Sequence, residues 1–312
     1  MMPVKLLTRF RFLVSLLTLL SISPAFASEP LPVVTSFSIL ADMVRQVGGP
    51  HVAVTSLVGP NSDAHVFDPT PADAKRLAAA KLVIVNGFGF EGWMSRLVKS
   101  SGYKGPVVTA TKGVKSIPMA KSTHDHGHNH AHTAPDPHAW QSLQNAKQYV
   151  ENIKVALIAA LPAQAADIQA RANDYLKQID VLEKSTQQRI AAVPAERRRV
   201  ITSHDAFGYF GRAYKISFYP LQGLSTGSEP SAADVARIVN EIKKNKVTAI
   251  FAENISDPRV LERVAKDTGA KIGGTLFADA LSEPGGDADT YLKMFEHNVS
   301  TILSGISSSA QP

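Results

Sequence analysis

Apolar positions along this chain come in two alternating kinds of run. The first kind is short and nearly continuous: LPVVTSF (31–37), HVAVTSLV (51–58), KLVIVNG (81–87) and PVVTA (106–110). Such runs read as strands buried on both faces. The second kind is longer and repeats every three or four residues. In SILADMVRQVGG (38–49), Ile39, Met43 and Val47 share one face and Gly48-Gly49 ends the helix. TPADAKRLAAA (70–80) places Thr70 at the N-cap and Pro71 at the first helical position, and EGWMSRLVKS (91–100) predicts another helix.

The second half repeats the scheme. Strands are expected at 198–203, 215–221, 247–254 and 271–278, and helices at 205–213, 231–245, 257–269 and 287–304. Ser231 is the N-cap of the second of these helices, with Asp234 in its first turn. Alternation at this spacing predicts an α/β fold of two similar lobes, each a mainly parallel sheet flanked by helices. Between the halves, Pro162 and Pro194 bracket a segment with no helix breaker. Ile168, Ala172, Tyr175, Ile179 and Leu182 form one apolar stripe there. A helix of about 29 residues would be roughly 43 Å long, enough to run the height of two lobes. A single rigid helix would restrict hinge opening; the alternative is a helical hairpin within one domain. The expected division is a leader (1–27), a first lobe (28–161), a linking helix (162–194) and a second lobe (195–312).

Composition refines this picture. The 312 residues are 44% hydrophobic and 19% charged, which is ordinary for globular proteins. Lys5, Arg9 and Arg11 precede an apolar run at 12–22, and Ala25-Phe26-Ala27 follows it. This reads as a secretory signal cut after Ala27, leaving a soluble periplasmic protein; the alternative is an uncleaved anchor. There is no cysteine, so no disulfide, no thiolate ligand and no lipid anchor on cysteine is expected. Loss of the leader lowers the net charge from +6 to +3. Arg197-Arg198-Arg199 is the one tight basic run and lacks interleaved aromatics, so nucleic acid is not an expected partner.

One motif misleads. GFGFEG (87–92) matches G-x-G-x-x-G between a strand and a helix. After Glu91 no acidic residue occurs until Asp125, so nothing is placed to hold a ribose. The segment reads instead as a tight turn with close backbone packing.

The candidate chemistry lies in the ten histidines. His51 and His297 read as surface or packing residues. His124, His126, His128, His130 and His132 alternate with Asp, Gly, Asn and Ala, with no apolar anchor among them. They read as a mobile loop that gathers metal weakly, or as a polar tract with no part in uptake. His65, in a turn-rich loop after a strand, His138, in PDPHAW, His204, after VITS, and Asp279, after GGTLFA, stand at strand ends or before helices. Ligands of open parallel sheets bind at the carboxyl ends of strands, so a cleft between the halves would collect all four. Three imidazoles and a carboxylate suit Zn²⁺, whereas Mn²⁺ prefers more oxygen. Histidines at strand ends are equally compatible with ordinary polar packing. Glu253, at a strand end, is a candidate to orient an imidazole. Asp63, Asp68 and Asp136 read as turn or cap formers, and Asp205 as a cap after His204.

DAHVFDPTPAD, VNGFGFEGW, DPHAW, SHDAFGYF, GLSTGSEPSAADV and GGTLFADAL together resemble the periplasmic zinc/manganese-binding proteins of ABC importers, the cluster A-I solute-binding proteins. The resemblance covers nearly the whole mature chain, in family order. It implies two lobes joined by one long helix and one metal site in the cleft with ligands at His65, His138, His204 and Asp279; with no H-E-x-x-H motif and no separate general base, a closed four-ligand site favours binding over catalysis. It implies an inner-membrane permease as partner and, for a monomeric receptor, a periplasmic zinc chaperone as possible donor. Manganese binders of the family usually carry Glu at the position of His204, and a histidine-rich loop typifies the zinc branch. Both features point to zinc, with manganese, a stand-alone zinc buffer and, remotely, a zinc hydrolase as alternatives. Asp68 departs from the Glu of many relatives at a position that is not a ligand. The GLSTGSEPS loop (223–231) is expected to move on binding. Affinity is expected to fall as pH drops below the imidazole value of about 6.5.

Overall fold

The computed structural model describes residues 29–118, 134–223, 226, 230–245, 247 and 249–308. The leader, the histidine tract 124–132 and most of the 223–231 loop fall outside the described residues.

In the first lobe β1 (Leu31–Phe37), β2 (Val52–Val58), β3 (Leu82–Val85) and β4 (Val107–Thr109) alternate with α1 (Ser38–Gly48), α2 (Pro71–Ala79) and α3 (Met94–Ser101). All pairings are parallel, in the order β2-β1-β3-β4. β1 and β3 are central, and Val33, Val34, Leu82, Val83 and Ile84 are buried. The chain then runs through α4 (Leu143–Ala160) and α5 (Ala165–Ala191) into the second lobe. There β5 (Arg199–Thr202), α6 (Gly208–Tyr214), β6 (Ser217–Pro220), α7 (Ala232–Asn245), β7 (Ala249–Glu253), α8 (Arg259–Thr268), β8 (Lys271–Leu276) and α9 (Tyr291–Ser308) follow. Its sheet, also parallel, has the order β6-β5-β7-β8, the same topology as the first. In each sheet the order in which strands are added switches between the two central strands, the place where open parallel sheets form a crevice at their carboxyl ends. The two-lobed α/β expectation is thus met.

α5 is one continuous helix of 27 residues, about 40 Å long. It packs against α1 and α4 on one side and α6 and α9 on the other. Its buried stripe is Ile168, Ala172, Tyr175, Ile179, Glu183, Thr186 and Ile190, so Glu183 takes the place expected for Leu182. Burial of that carboxylate is offset by two hydrogen bonds, from Tyr214 Oη and from Gln187 Nε2 at 2.6 Å. One apolar core runs from β1 through α4 and α5 to β8 and α9, while a smaller cluster holds α7 and α8 to the outer face of the second sheet. β8 and α9 therefore share their core with the first lobe. Their close approach depends on Gly273 and Gly305: a Cβ on Gly273 would come within 2.6 Å of Phe251 and 3.0 Å of the Gly305 backbone.

Several boundaries differ from expectation: α9 runs Tyr291–Ser308 against the expected 287–304, and α6 and α3 both start late. α6 starts at Gly208, with Phe207 rather than Asp205 at the cap, because residues 203–206 are spent in turns. α3 starts at Met94, because 86–91 form the glycine turn: Gly87, Phe88 and Gly89 have φ of 97°, 54° and 82°. That turn also explains the failed dinucleotide motif. The Glu91 carboxyl group accepts from Asn86 N at 2.6 Å and Gly87 N at 3.2 Å, filling with the chain's own side chain the place a phosphate would take.

Candidate metal centre

Each of the four candidate side chains is delivered by a loop at a carboxyl end. His65 lies between β2 and α2, and α2 is fixed by a capping box between Thr70 and Asp73. Its loop is pinned at Asp63, whose Oδ1 accepts from His65 N at 2.8 Å. Asn61, with φ of 48°, donates its N–H to Leu281 O at 2.9 Å and accepts from Asn254 Nδ2 at 2.9 Å, so this first-lobe loop is docked on the second lobe. His138 follows the Asp136-Pro137 turn, where Asn86 Nδ2 holds Pro137 O at 2.9 Å. His204 leaves β5, and Asp279 lies three residues beyond β8.

The four meet. One nitrogen or carboxylate oxygen of each lies within 4.8 Å of all the others. His65 Nε2 is 3.2 Å from His138 Nε2 and 3.1 Å from Asp279 Oδ2. His204 Nε2 is 3.2 Å from Asp279 Oδ2, and His138 Nε2 is 3.6 Å from Asp279 Oδ1. His138, His204 and Asp279 are fully buried, while His65 forms the outer edge at 9% side-chain exposure. Phe90 and Trp140 line the apolar wall against His138.

Behind the ring nitrogens stand two further carboxylates. Asp136 Oδ1 accepts from His138 Nδ1 at 2.8 Å and from His138 N at 2.9 Å. Glu253 does the same for His204: Oε2 contacts Nδ1, and Oε1 accepts from His204 N at 3.0 Å. Each carboxylate fixes the ring plane and the tautomer, so that Nε2 faces the centre. Glu253 reaches His204 from the end of β7. Asp136 does more than the turn-forming role expected of it. An acid two residues before a histidine can reach both its backbone N–H and its Nδ1, and the D-x-H spacing in DPHAW was the signal.

The electrostatics describe a centre held together by protons when no metal is bound. Burial disfavours the His138 imidazolium, but Asp279 and Asp136 outweigh it and raise its pKa to about 9. His204 is raised well above the ordinary value of 6.5, again against burial, by Glu253 and Asp279. Asp279 is pulled well below 3.8 by His138 and His204 in spite of its burial. Doubly protonated His138 and His204 account for four of the contacts: one Nε2–H donates to His65 Nε2, the other to Asp279 Oδ2, and both Nδ1–H groups donate to Asp136 and Glu253; the 3.1 Å approach of His65 Nε2 to Asp279 Oδ2 then brings two acceptors together, as a cation between them would require. Asp279 Oδ1 is buried with no hydrogen-bond partner among the described residues. A divalent cation at the centre of these four atoms would replace the two Nε2 protons and satisfy that oxygen. The donor set of three nitrogens and one carboxylate fits such an ion.

The other histidines lie elsewhere. His51 Nε2 is 2.8 Å from Asp167 on the surface, and His297 Nε2 is 3.0 Å from Thr275 O. Asp68 is exposed, and Asp63 additionally accepts from Thr226 Oγ1 of the second lobe. The five histidines of 124–132 are outside the described residues.

The family described as "Zinc-uptake complex component A periplasmic" (ZnuA) matches residues 33–305. The chain belongs to this family. ZnuA-family proteins are the periplasmic metal-binding components of ABC importers, working with a permease and an ATPase, and are not enzymes. The "Manganese-binding lipoprotein MntA" of Halalkalibacterium halodurans is 32% identical over 279 residues, 89% of each chain. The "Iron-binding protein YfeA" of Yersinia pestis is 29% identical over 296 residues, 95% of this chain and 93% of that protein. The solved periplasmic zinc-binding protein TroA of Treponema pallidum superposes with a TM-score of 0.81 at 30% identity, covering 89% of this chain and 99% of TroA. The shared fold extends to both lobes and the long helix. Among the described residues, no helix is long and apolar enough to cross a membrane.

Proposed function

We propose that this chain captures Zn²⁺ in the periplasm through His65, His138, His204 and Asp279 and delivers it to an inner-membrane ABC permease. The observation that carries the reading is the convergence of three imidazole nitrogens and one carboxylate within 4.8 Å. Two of those imidazoles are oriented by their own carboxylates, the support that metal-binding histidines need. Nitrogen outnumbers oxygen in the set, which favours zinc over manganese. In this reading the lobes are 28–161 and 195–312, the linker is 162–194, the leader is cleaved after Ala27, and the receptor acts as a monomer. The histidines at 124–132 serve as an auxiliary metal-gathering loop, and a periplasmic chaperone is a possible zinc donor.

A second reading, manganese as cargo, is favoured by the name of the MntA relative and by one local feature. Asp279 Oδ1 is unpartnered, so the carboxylate can present both oxygens to an ion that prefers them. Competition titration of the mature protein with the two metals decides between the readings. Zinc should bind tighter by several orders of magnitude, and equal or stronger manganese binding would reject zinc as cargo. His204→Glu should move the ratio toward manganese; an unchanged ratio would overturn the role given to position 204.

A further inference from the structure

Gln141 is fully buried, yet its side chain is only half satisfied. Its Nε2 donates to Ala278 O at 2.8 Å, while its Oε1 has no hydrogen-bond partner among the described residues. Turning the amide over would set Oε1 against the Ala278 carbonyl and leave the amino group without that acceptor, so the orientation follows from the contact. A buried orphan acceptor destabilises a fold, and an apolar side chain of the same length would avoid the cost. The hydrogen bond the amide makes is the one from Nε2 to Ala278 O, so its role turns on that contact.

Its target points to that role. Ala278 O is the carbonyl of the peptide bond leading into Asp279, and it also accepts from Trp140 Nε1 at 2.9 Å. Two donors on one carbonyl fix the plane of that peptide. Both come from the short turn that begins at His138, where Gln141 N donates to His138 O at 3.1 Å. The turn is itself held from α9, where Tyr291 Oη donates to Trp140 O at 2.6 Å. His138 and Asp279 are 141 residues apart in sequence and belong to different lobes. This one carbonyl and its two donors nevertheless join them at their backbones, beside the 3.6 Å gap between His138 Nε2 and Asp279 Oδ1.

We propose that Gln141 is a positioning residue for metal capture: its amide, with the Trp140 indole, holds the Ala278 carbonyl so that the Asp279 carboxylate faces His138 in fixed register before the ion arrives. The proposal rests on the ligand assignment above. Preorganisation of this kind acts mainly on how long the ion stays.

Gln141→Met keeps the length and removes the amide; Trp140→Phe keeps an aromatic ring and removes the indole donor. For each, zinc affinity is measured by chelator competition, zinc release by stopped flow into a chromogenic chelator, and melting of the metal-free protein by calorimetry. Gln141→Met should melt at or above the wild-type temperature while zinc binds at least tenfold more weakly, with most of the change in the release rate. Trp140→Phe should also accelerate release. Unchanged affinity and release in Gln141→Met would overturn the proposal, as would a loss of affinity that merely tracks a loss of stability. Should Gln141→Met not fold, the release rate of Trp140→Phe decides alone, and a wild-type rate counts against the proposal. Asp279→Ala separates the two claims. If it binds zinc as the wild type does, the ligand assignment itself fails; if it loses zinc while Gln141→Met does not, only the positioning role is lost.

Discussion

Between pH 9 and pH 7 protons should compete with the metal at His138. Asp279 and Asp136 hold this imidazole charged up to about pH 9 despite its burial. Metal binding needs the neutral ring, so at pH 7 about one metal-free molecule in a hundred has His138 ready, a penalty of about 3 kcal/mol. His204, raised well above the ordinary value by Glu253 and Asp279 against its burial, adds to this in the same direction. Affinity should therefore rise by up to about tenfold per pH unit from His138 alone between pH 7 and 8, less steeply as pH nears 9, and more where His204 also titrates. An unperturbed imidazole would give a plateau above about pH 7. The structure thus moves the pH window above the one expected for free histidine. The same protonation has an opposite effect on the metal-free fold. A folded-state pKa raised from 6.5 to about 9 contributes stability that is complete below 6.5 and lost as pH rises through 9. The loaded protein, with neutral imidazoles, lacks this contribution. Chelator competition from pH 6 to 9.5, corrected for the chelator's own protonation, reads the first effect, and calorimetry of both forms reads the second. A flat affinity above pH 7 would refute the proton-held centre, and so would metal-free stability that does not decline toward pH 9.

Three further outcomes are expected. Asp136→Asn and Glu253→Gln remove the charges behind His138 and His204 and should each weaken zinc binding about 10- to 100-fold in competition titrations; wild-type affinity in both would deny those carboxylates their orienting role. Thr70→Ala breaks the capping box at the start of α2 and should cost about 1 kcal/mol in chemical unfolding, and no measurable loss would mean that this helix start is held by other contacts. Deleting residues 124–132 should leave one tight zinc equivalent by calorimetry and remove only weaker binding; loss of the tight site would place it in the tract instead of the cleft.

The fold was legible because its central strands β1, β3, β5 and β7 are largely buried and because α2 and α7 start at side-chain caps; the outer strands β2, β4, β6 and β8 are only partly buried. The run at 31–37, the Thr70-Pro71 start and the apolar stripe of α5 each carry their structure locally. Local signals fail where tertiary contacts decide. Glu183 lies in the buried stripe of α5 because Tyr214 and Gln187 satisfy it, which no periodicity reveals. α6 begins late because the turn after His204 is tied to Gly223. The four candidate ligands could be listed from strand ends and family resemblance, although His138 stands far beyond the end of β4. The support behind them was only partly readable: Glu253 by its strand end, Asp136 only through D-x-H geometry, and Gln141 not at all. The contact of Gln141 lies 137 residues away, and nothing in DPHAWQ marks its amide as turned toward Ala278.

The central claim is that one divalent ion binds between the lobes through three imidazole nitrogens and one carboxylate. X-ray absorption at the zinc edge of the mature protein loaded with one equivalent tests it most directly. The account predicts a first shell of three nitrogen neighbours at about 2.0–2.1 Å and carboxylate oxygen at about 2.0–2.2 Å, with one imidazole fewer in His204→Ala. A wild-type shell rich in oxygen and water, or one that His204→Ala leaves unchanged, would contradict it.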